Sequence, residues 1–166
     1  MKRVPFLLLI AAIYLCHACN DEGACTEEDL VSRVNAGFYV RDSLEERDTT
    51  LNYVTFYGLL RPDSIIYDAA LGIRRIKFPL PHEPNEQSIF IFQVDTEIDT
   101  IRIWHQPKLV LVSYACGFTT THDIFWLSYG SNIIDTISVK NSIVNLTDEQ
   151  NLRIYIKPFV VADTAQ

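Results

Sequence analysis

The chain has 166 residues, with 14 Lys plus Arg against 21 Asp plus Glu, four Cys and 48% hydrophobic side chains. Only 6 Gly and 7 Pro accompany them, so collagen-like and disordered chains are excluded and one compact domain is expected. A net charge of −7 without a basic stripe speaks against nucleic-acid binding, which draws its affinity from clustered Lys and Arg.

At the N-terminus, Met1-Lys2-Arg3 is a basic start and Phe6 to Leu15 an unbroken apolar run. The pattern is that of a secretory signal; a membrane-crossing helix needs about 20 apolar residues, and here Cys16, His17 and then Asn20-Asp21-Glu22 end the run early. Cleavage is expected after Ala18, which leaves residues 1–18 as the signal peptide and Cys19 as the new N-terminus. A basic start, an apolar stretch, a small residue and a Cys resemble a bacterial lipoprotein signal, with Cys19 as the lipidated residue and Cys16 as a departure from the usual aliphatic position. One acyl chain anchors only marginally, at about 0.8 kcal/mol per buried methylene, so the expected diacylation is what makes the tether stable. Asp21-Glu22 resembles the surface-export signal of Bacteroidetes lipoproteins. The alternative is a soluble periplasmic protein. The mature chain would carry 12 Lys plus Arg against 21 Asp plus Glu, a net charge of −9.

With Cys16 removed and Cys19 acylated, Cys25 and Cys116 remain in an oxidising compartment and are expected to form a disulfide. A redox or metal pair is the alternative, and it lacks both a CxxC motif and a neighbouring His at ligand spacing.

From Val34 onward the apolar residues alternate, and no helical spacing is sustained, so the expected class is all-β. Val34, Ala36, Phe38 and Val40 alternate with Arg33, Asn35 and Arg41 as in a half-buried strand. Leu51 to Leu59, Ile65 to Tyr67 and Ile73 to Phe78 follow as strands, and Pro79, Pro81 and Pro84 mark a loop. Ser88 to Val94 and Thr100 to Gln106 flank a short acidic connection and predict a hairpin. Lys108 to Cys116 is apolar on both faces, which predicts a central strand covered on each side. Ile124 to Tyr129, Ile133 to Val139 and Leu152 to Phe159 complete the set. Short strands at intervals of about 10 residues predict an antiparallel β-sandwich, immunoglobulin-like, with a small barrel as the alternative. The expected division is a linker over 19–32, the sandwich over 33–160 and a C-terminal tail over 161–166.

Few residues invite chemistry. His82, His105 and His122 are dispersed, and no HExxH, GxSxG, P-loop or GxGxxG occurs, so no cofactor, metal or catalytic residue is expected. His105 alternates with Ile101 and Ile103 and reads as a satisfied imidazole at the core edge; His122-Asp123 could be half of a triad but lacks a nucleophile. Asp95, Glu97 and Asp99 open like a calcium loop, yet Thr100 and Gln106 stand where its Gly and Glu belong, so an acidic turn is the simpler reading. Asp63-Ser64-Ile65, Asp99-Thr100-Ile101 and Asp135-Thr136-Ile137 open strands by turn chemistry and also resemble Bacteroidetes O-glycosylation acceptors. Trp104 and Arg102 lie opposite the Ile101 and Ile103 face and form the candidate ligand platform.

Cys25-Thr26, Gly37-Phe38-Tyr39 and above all Ser113-Tyr114-Ala115-Cys116-Gly117-Phe118 resemble a family of small Bacteroidetes lipoproteins classed as a domain of unknown function, over nearly the whole mature chain. The resemblance implies an anchored β-rich domain bridged between Cys25 and Cys116, and no activity. The expected function is a non-enzymatic, lipid-anchored interaction module of the outer membrane, held to the membrane through Cys19 and meeting an envelope protein. The alternative is a glycan-binding accessory of an uptake system.

Overall fold

The computed structural model describes residues 25–26, 30–42, 45–59, 65–82 and 87–158. The signal segment, Cys19, Ser64 and the tail over 161–166 lie outside the described residues. Among the described residues eleven strands form two sheets: β1 (Arg33–Asp42), β2 (Glu45–Asp48), β3 (Val54–Gly58), β4 (Ile65–Ala70), β5 (Arg75–Pro79), β6 (Gln87–Val94), β7 (Glu97–Ser113), β8 (Gly117–Tyr129), β9 (Ile134–Val139), β10 (Ile143–Val144) and β11 (Leu152–Ile156).

The first sheet runs β2-β1-β11-β9, with β5 also on β1. Gly37 and Tyr39 each pair with β11, Gly37 also with Arg75 of β5 and Tyr39 also with Asp48 of β2, so β5 and β2 share the second edge of β1. The second sheet runs β10-β8-β7-β6-β3-β4. All pairings are antiparallel except β1 with β11. The architecture is the all-β sandwich that the alternation predicts. Its strand order, which spacing does not determine, places consecutive β6, β7 and β8 side by side as a meander, whereas an immunoglobulin-like arrangement divides such strands between sheets.

Phenylalanines join the layers. Phe38 of β1 stacks on Phe92 of β6 at 5.5 Å between ring centroids, and Phe78 of β5 meets Phe56 at 4.8 Å and Phe90 at 4.6 Å. Offset and tilted rings at these separations add about 0.5 to 1.5 kcal/mol per pair beyond the burial of their area. Val34, Ala36, Ile76, Val54, Ile101, Ile103, Leu152 and Ile154 fill the space around them.

Three expectations are corrected. Asn35, expected on a solvent face, is buried because the segment before β11 folds over β1: its backbone N–H donates to Asn151 Oδ1 at 3.0 Å and its side-chain amide to the Asp148 carbonyl at 3.0 Å. Thr100 to Gln106 and Lys108 to Cys116 are not separate strands, since β7 continues through Pro107 to Ser113. Pro107 falls where the described register of β6 has already ended, at Trp104, so among the described residues β7 has only β8 beside it at this position, as on an edge strand.

Beyond Pro107 and His122, the last pair beside which β10 still runs, only β7 and β8 continue together among the described residues, as a two-stranded ribbon, and Leu109, Val110, Leu111 and Val112 are all exposed. The apolar pattern on both faces is that of a covered central strand, but among the described residues Leu109 to Val112 are left exposed, and burial on the arm is confined to Thr119, which bonds Leu30. At its tip Cys25 pairs with Cys116, Cα to Cα 5.5 Å, as the sequence predicts. Ser32 Oγ donates to the Thr120 carbonyl at 2.6 Å, and Thr119 Oγ1 donates to the Leu30 carbonyl, so the N-terminal segment is fastened to β8 at two adjacent residues. The bridge therefore pins that segment to the arm.

Candidate functional site

The outward face of β6, β7 and β8 carries the residues that sequence reasoning singled out. Directly opposed residues of neighbouring strands project on the same side of a sheet, so the register defines transverse rows. One row is Gln87, Trp104, Trp126, and the next is Ile89, Arg102, Ser128. Arg102 is exposed and Trp104 half-buried, both turned away from the core that holds Ile101 and Ile103.

Two aromatics that sequence reasoning missed complete the face. Trp104 pairs with Trp126 and the next residue, His105, with Ile124, so Phe125 is the extra residue of a β-bulge in β8. A regular strand sends successive side chains to opposite faces. Here Ile124 points inward while Phe125 and Trp126 are each 63% exposed, and Leu127 opposite Ile103 turns back toward the core. The signal was present in Ile124-Phe125-Trp126-Leu127, where strict alternation fails, but a continuous apolar run alone does not locate a bulge. The register thus places Trp104, Phe125 and Trp126 on the face that also carries Arg102, a surface suited to stacking on flat apolar faces and to hydrogen bonding at its rim.

Toward the arm, Gln106 opposes Asp123, and Lys108 Nζ lies 3.6 Å from Asp123 Oδ2. His122 and Asp123 take opposite faces, so the adjacency in sequence brings no dyad. His122 turns inward and joins a buried polar chain: its Nδ1 is 3.2 Å from His105 Nδ1, and His105 Nε2 is 2.8 Å from Ser88 Oγ. All three side chains are buried, which makes His105 the satisfied imidazole expected from its strand position. Burial pushes the His122 ring down to about 4, helped by the charges of His105 and His82, and burial lowers His105 as well. Only one proton fits between the two Nδ1 atoms, so one ring donates there and the other accepts. His122 Nε2 has no hydrogen-bond partner. His82 is exposed, its ring centroid 6.1 Å from that of His122.

The acidic connection after β6 has a structural task. Asp99 is buried and turns inward, its Oδ1 accepting the Asn132 N–H at 2.9 Å and its Oδ2 the Ile133 and Ile134 N–H groups at 2.8 Å. Asp95, at the turn with φ 53°, and Glu97 stay exposed, so the three carboxylates do not share one focus. Among the described residues no group of three or more His, Cys, Asp or Glu side chains is placed to hold a metal ion. Thr100 is half-buried beside Asp99, and the Thr136 hydroxyl is 3.1 Å from Tyr129 OH.

The Family of unknown function (DUF6452) matches residues 53–156, from the threshold of β3 through β11. The match holds the aromatic face, the whole arm and Cys116, and it leaves out Cys25, β1 and β2; it is narrower than the span of the resemblance read from the sequence. No curated protein and no solved structure matches the chain. No helix among the described residues is long and apolar enough to cross a membrane. With more than half of its residues matched, the chain belongs to this family of unknown function.

Proposed function

We propose that the chain is a lipid-anchored, non-enzymatic interaction module of the cell envelope, tethered through Cys19 to the outer membrane and presenting the β6–β8 face to a protein partner. The observation that carries this reading is the bulged aromatic cluster: Phe125 and Trp126 side by side on a sheet face, next to Trp104 and Arg102. Exposed Trp and Arg on a flat, rigid surface are the residue types that dominate binding energy in protein interfaces. The buried state of Ser88, His105 and His122 adds support, because these side chains, the one His-centred polar chain among the described residues, are closed to a substrate.

A photo-crosslinking amino acid at position 126, carried by the full chain in its own cells, tests the proposal. The expected result is a discrete adduct with one envelope protein that is absent when the same group replaces Glu97 at the far turn. Adducts of equal pattern from both positions would remove the face as a recognition surface.

The same cluster also supports the second reading, a glycan-binding accessory of an uptake system, since two indoles opposed on one face make a stacking platform for sugar rings. Titration against an oligosaccharide panel separates the two: sugar binding that Trp104→Ala abolishes selects the accessory role, and binding unchanged by that variant dismisses it.

A further inference from the structure

The β7–β8 arm is apolar without being part of the core. From Leu109 to Thr121 it contains no Asp, Glu, Lys or Arg, and its first charged pair, Lys108 with Asp123, stands at its base. Leu109 is 70% exposed, Tyr114 at the tip fully so and Phe118 61%. Four consecutive residues, Leu109 to Val112, are exposed and apolar, so both faces of the ribbon carry hydrophobic side chains. A protein partner docked on a sheet covers one face; an element apolar on both faces suits immersion in a medium.

The Cys25–Cys116 bridge says which medium is near. It ties residue 25 to the tip of the arm, and Cys19 precedes Cys25 by six residues. A fully extended segment of that length spans about 20 Å, less than the thickness of a bilayer's hydrocarbon core of about 30 Å. Acyl chains on Cys19 therefore hold the tip, not the far end of the sandwich, beside the membrane.

From these observations we infer that the apolar β7–β8 arm seats in the headgroup and acyl boundary of the membrane to which the chain is tethered, and thereby fixes how the domain stands on it. This rests on the proposed lipidation of Cys19. The depth is interfacial, because the outer edges of a two-stranded ribbon carry unpaired N–H and C=O groups that hydrocarbon cannot satisfy. The driving force is apolar burial and not charge, since the mature chain with 12 Lys plus Arg against 21 Asp plus Glu is repelled by anionic headgroups.

The test uses the full chain purified in detergent and reconstituted into phosphatidylcholine vesicles with or without brominated acyl chains. Intact mass of the N-terminal peptide reports acylation of Cys19, and Tyr114→Trp places a reporter at the tip. Expected are an acylated peptide and quenching of the reporter by bromolipid at least twofold beyond that of the parent chain, whose Trp104 and Trp126 set the background. An acylated chain with an unquenched reporter overturns the seating and leaves the tether standing. A peptide without acyl chains overturns the tether, and the seating falls with it. A reporter shielded from aqueous iodide but untouched by bromolipid, in a chain of doubled mass, assigns the arm to a second copy and likewise overturns the inference.

Discussion

Asp99 and Ile134 are locked to one another: Oδ2 of the buried carboxylate accepts the Ile134 N–H at 2.8 Å, at the residue where β9 begins. The same oxygen takes Ile133 N–H, and Oδ1 takes Asn132 N–H. One side chain of the second sheet thus satisfies the backbone that carries the chain into the first, where otherwise buried donors would be orphaned. Asp99→Ala is expected to cost about 2 to 4 kcal/mol of stability, because the buried Ile133 and Ile134 N–H groups lose the carboxylate that accepts them. Urea unfolding of the two proteins measures it, and a loss under about 1 kcal/mol would mean that water replaces the carboxylate.

Gly130 leaves the room this carboxylate needs. A Cβ at that position would strike Asp99 Oδ1. Gly130→Ala is expected to destabilise by about 1 to 3 kcal/mol through overpacking, and by much less when Asp99 is already Ala. The double-mutant cycle is the measurement, and additive losses would separate the two residues.

The His105–His122 pair makes stability depend on pH. His122 titrates near 4 in the folded chain against about 6.5 unfolded, so between these values the unfolded chain binds more protons. Its contribution is complete above pH 6.5 and is lost as pH drops toward 4, a loss of about 2 kcal/mol once solvent screening is allowed for. Denaturant midpoints from pH 7.5 to 4 should show this decline, and His122→Gln should flatten it.

Reduction of the Cys25–Cys116 bridge, which closes a separation of 91 residues, is expected to cost about 2 to 4 kcal/mol through the freedom it restores to the unfolded chain. The double variant Cys25→Ser with Cys116→Ser should keep its β-sheet circular dichroism, because none of the core side chains that join the layers belongs to the bridge. Collapse of the sheet signal would contradict that independence.

Trp126→Ala should change stability by less than about 1 kcal/mol, since the side chain is 63% exposed. Any larger loss of binding at the β6–β8 face is then a property of the surface, and thermal melts beside crosslinking yields report the two separately.

Much of this fold was legible in the sequence. The pairing of Ser88 to Val94 with the strand after it followed from period-two alternation on either side of a short polar turn, and the register from Gln87↔Trp104 to Val94↔Glu97 realises it. Trp104 and Arg102 could be turned outward by parity alone. Parity fails where a residue is inserted, which is why Phe125 and Trp126 escaped notice, and it is silent about what lies over a face, which is why Leu109 to Val112 read as a covered strand. Glu45-Glu46-Arg47-Asp48 has no strand propensity at all; β2 exists because β1 offers it an edge. Asn35 looked solvent-facing because the segment that buries it arrives from more than a hundred positions away, through Asn151 and Asp148.

The parallel pairing of β1 with β11, from Ala36↔Leu152 to Tyr39↔Tyr155, makes neighbours of the first and last strands of the domain. A nascent chain accordingly holds one edge of β1 vacant until its final strand emerges, and any product that stops short of Leu152 leaves that edge open to whatever strand it meets. The emergence of β11, more than any earlier stage, is the moment at which this edge of β1 acquires protection from pairing with another chain.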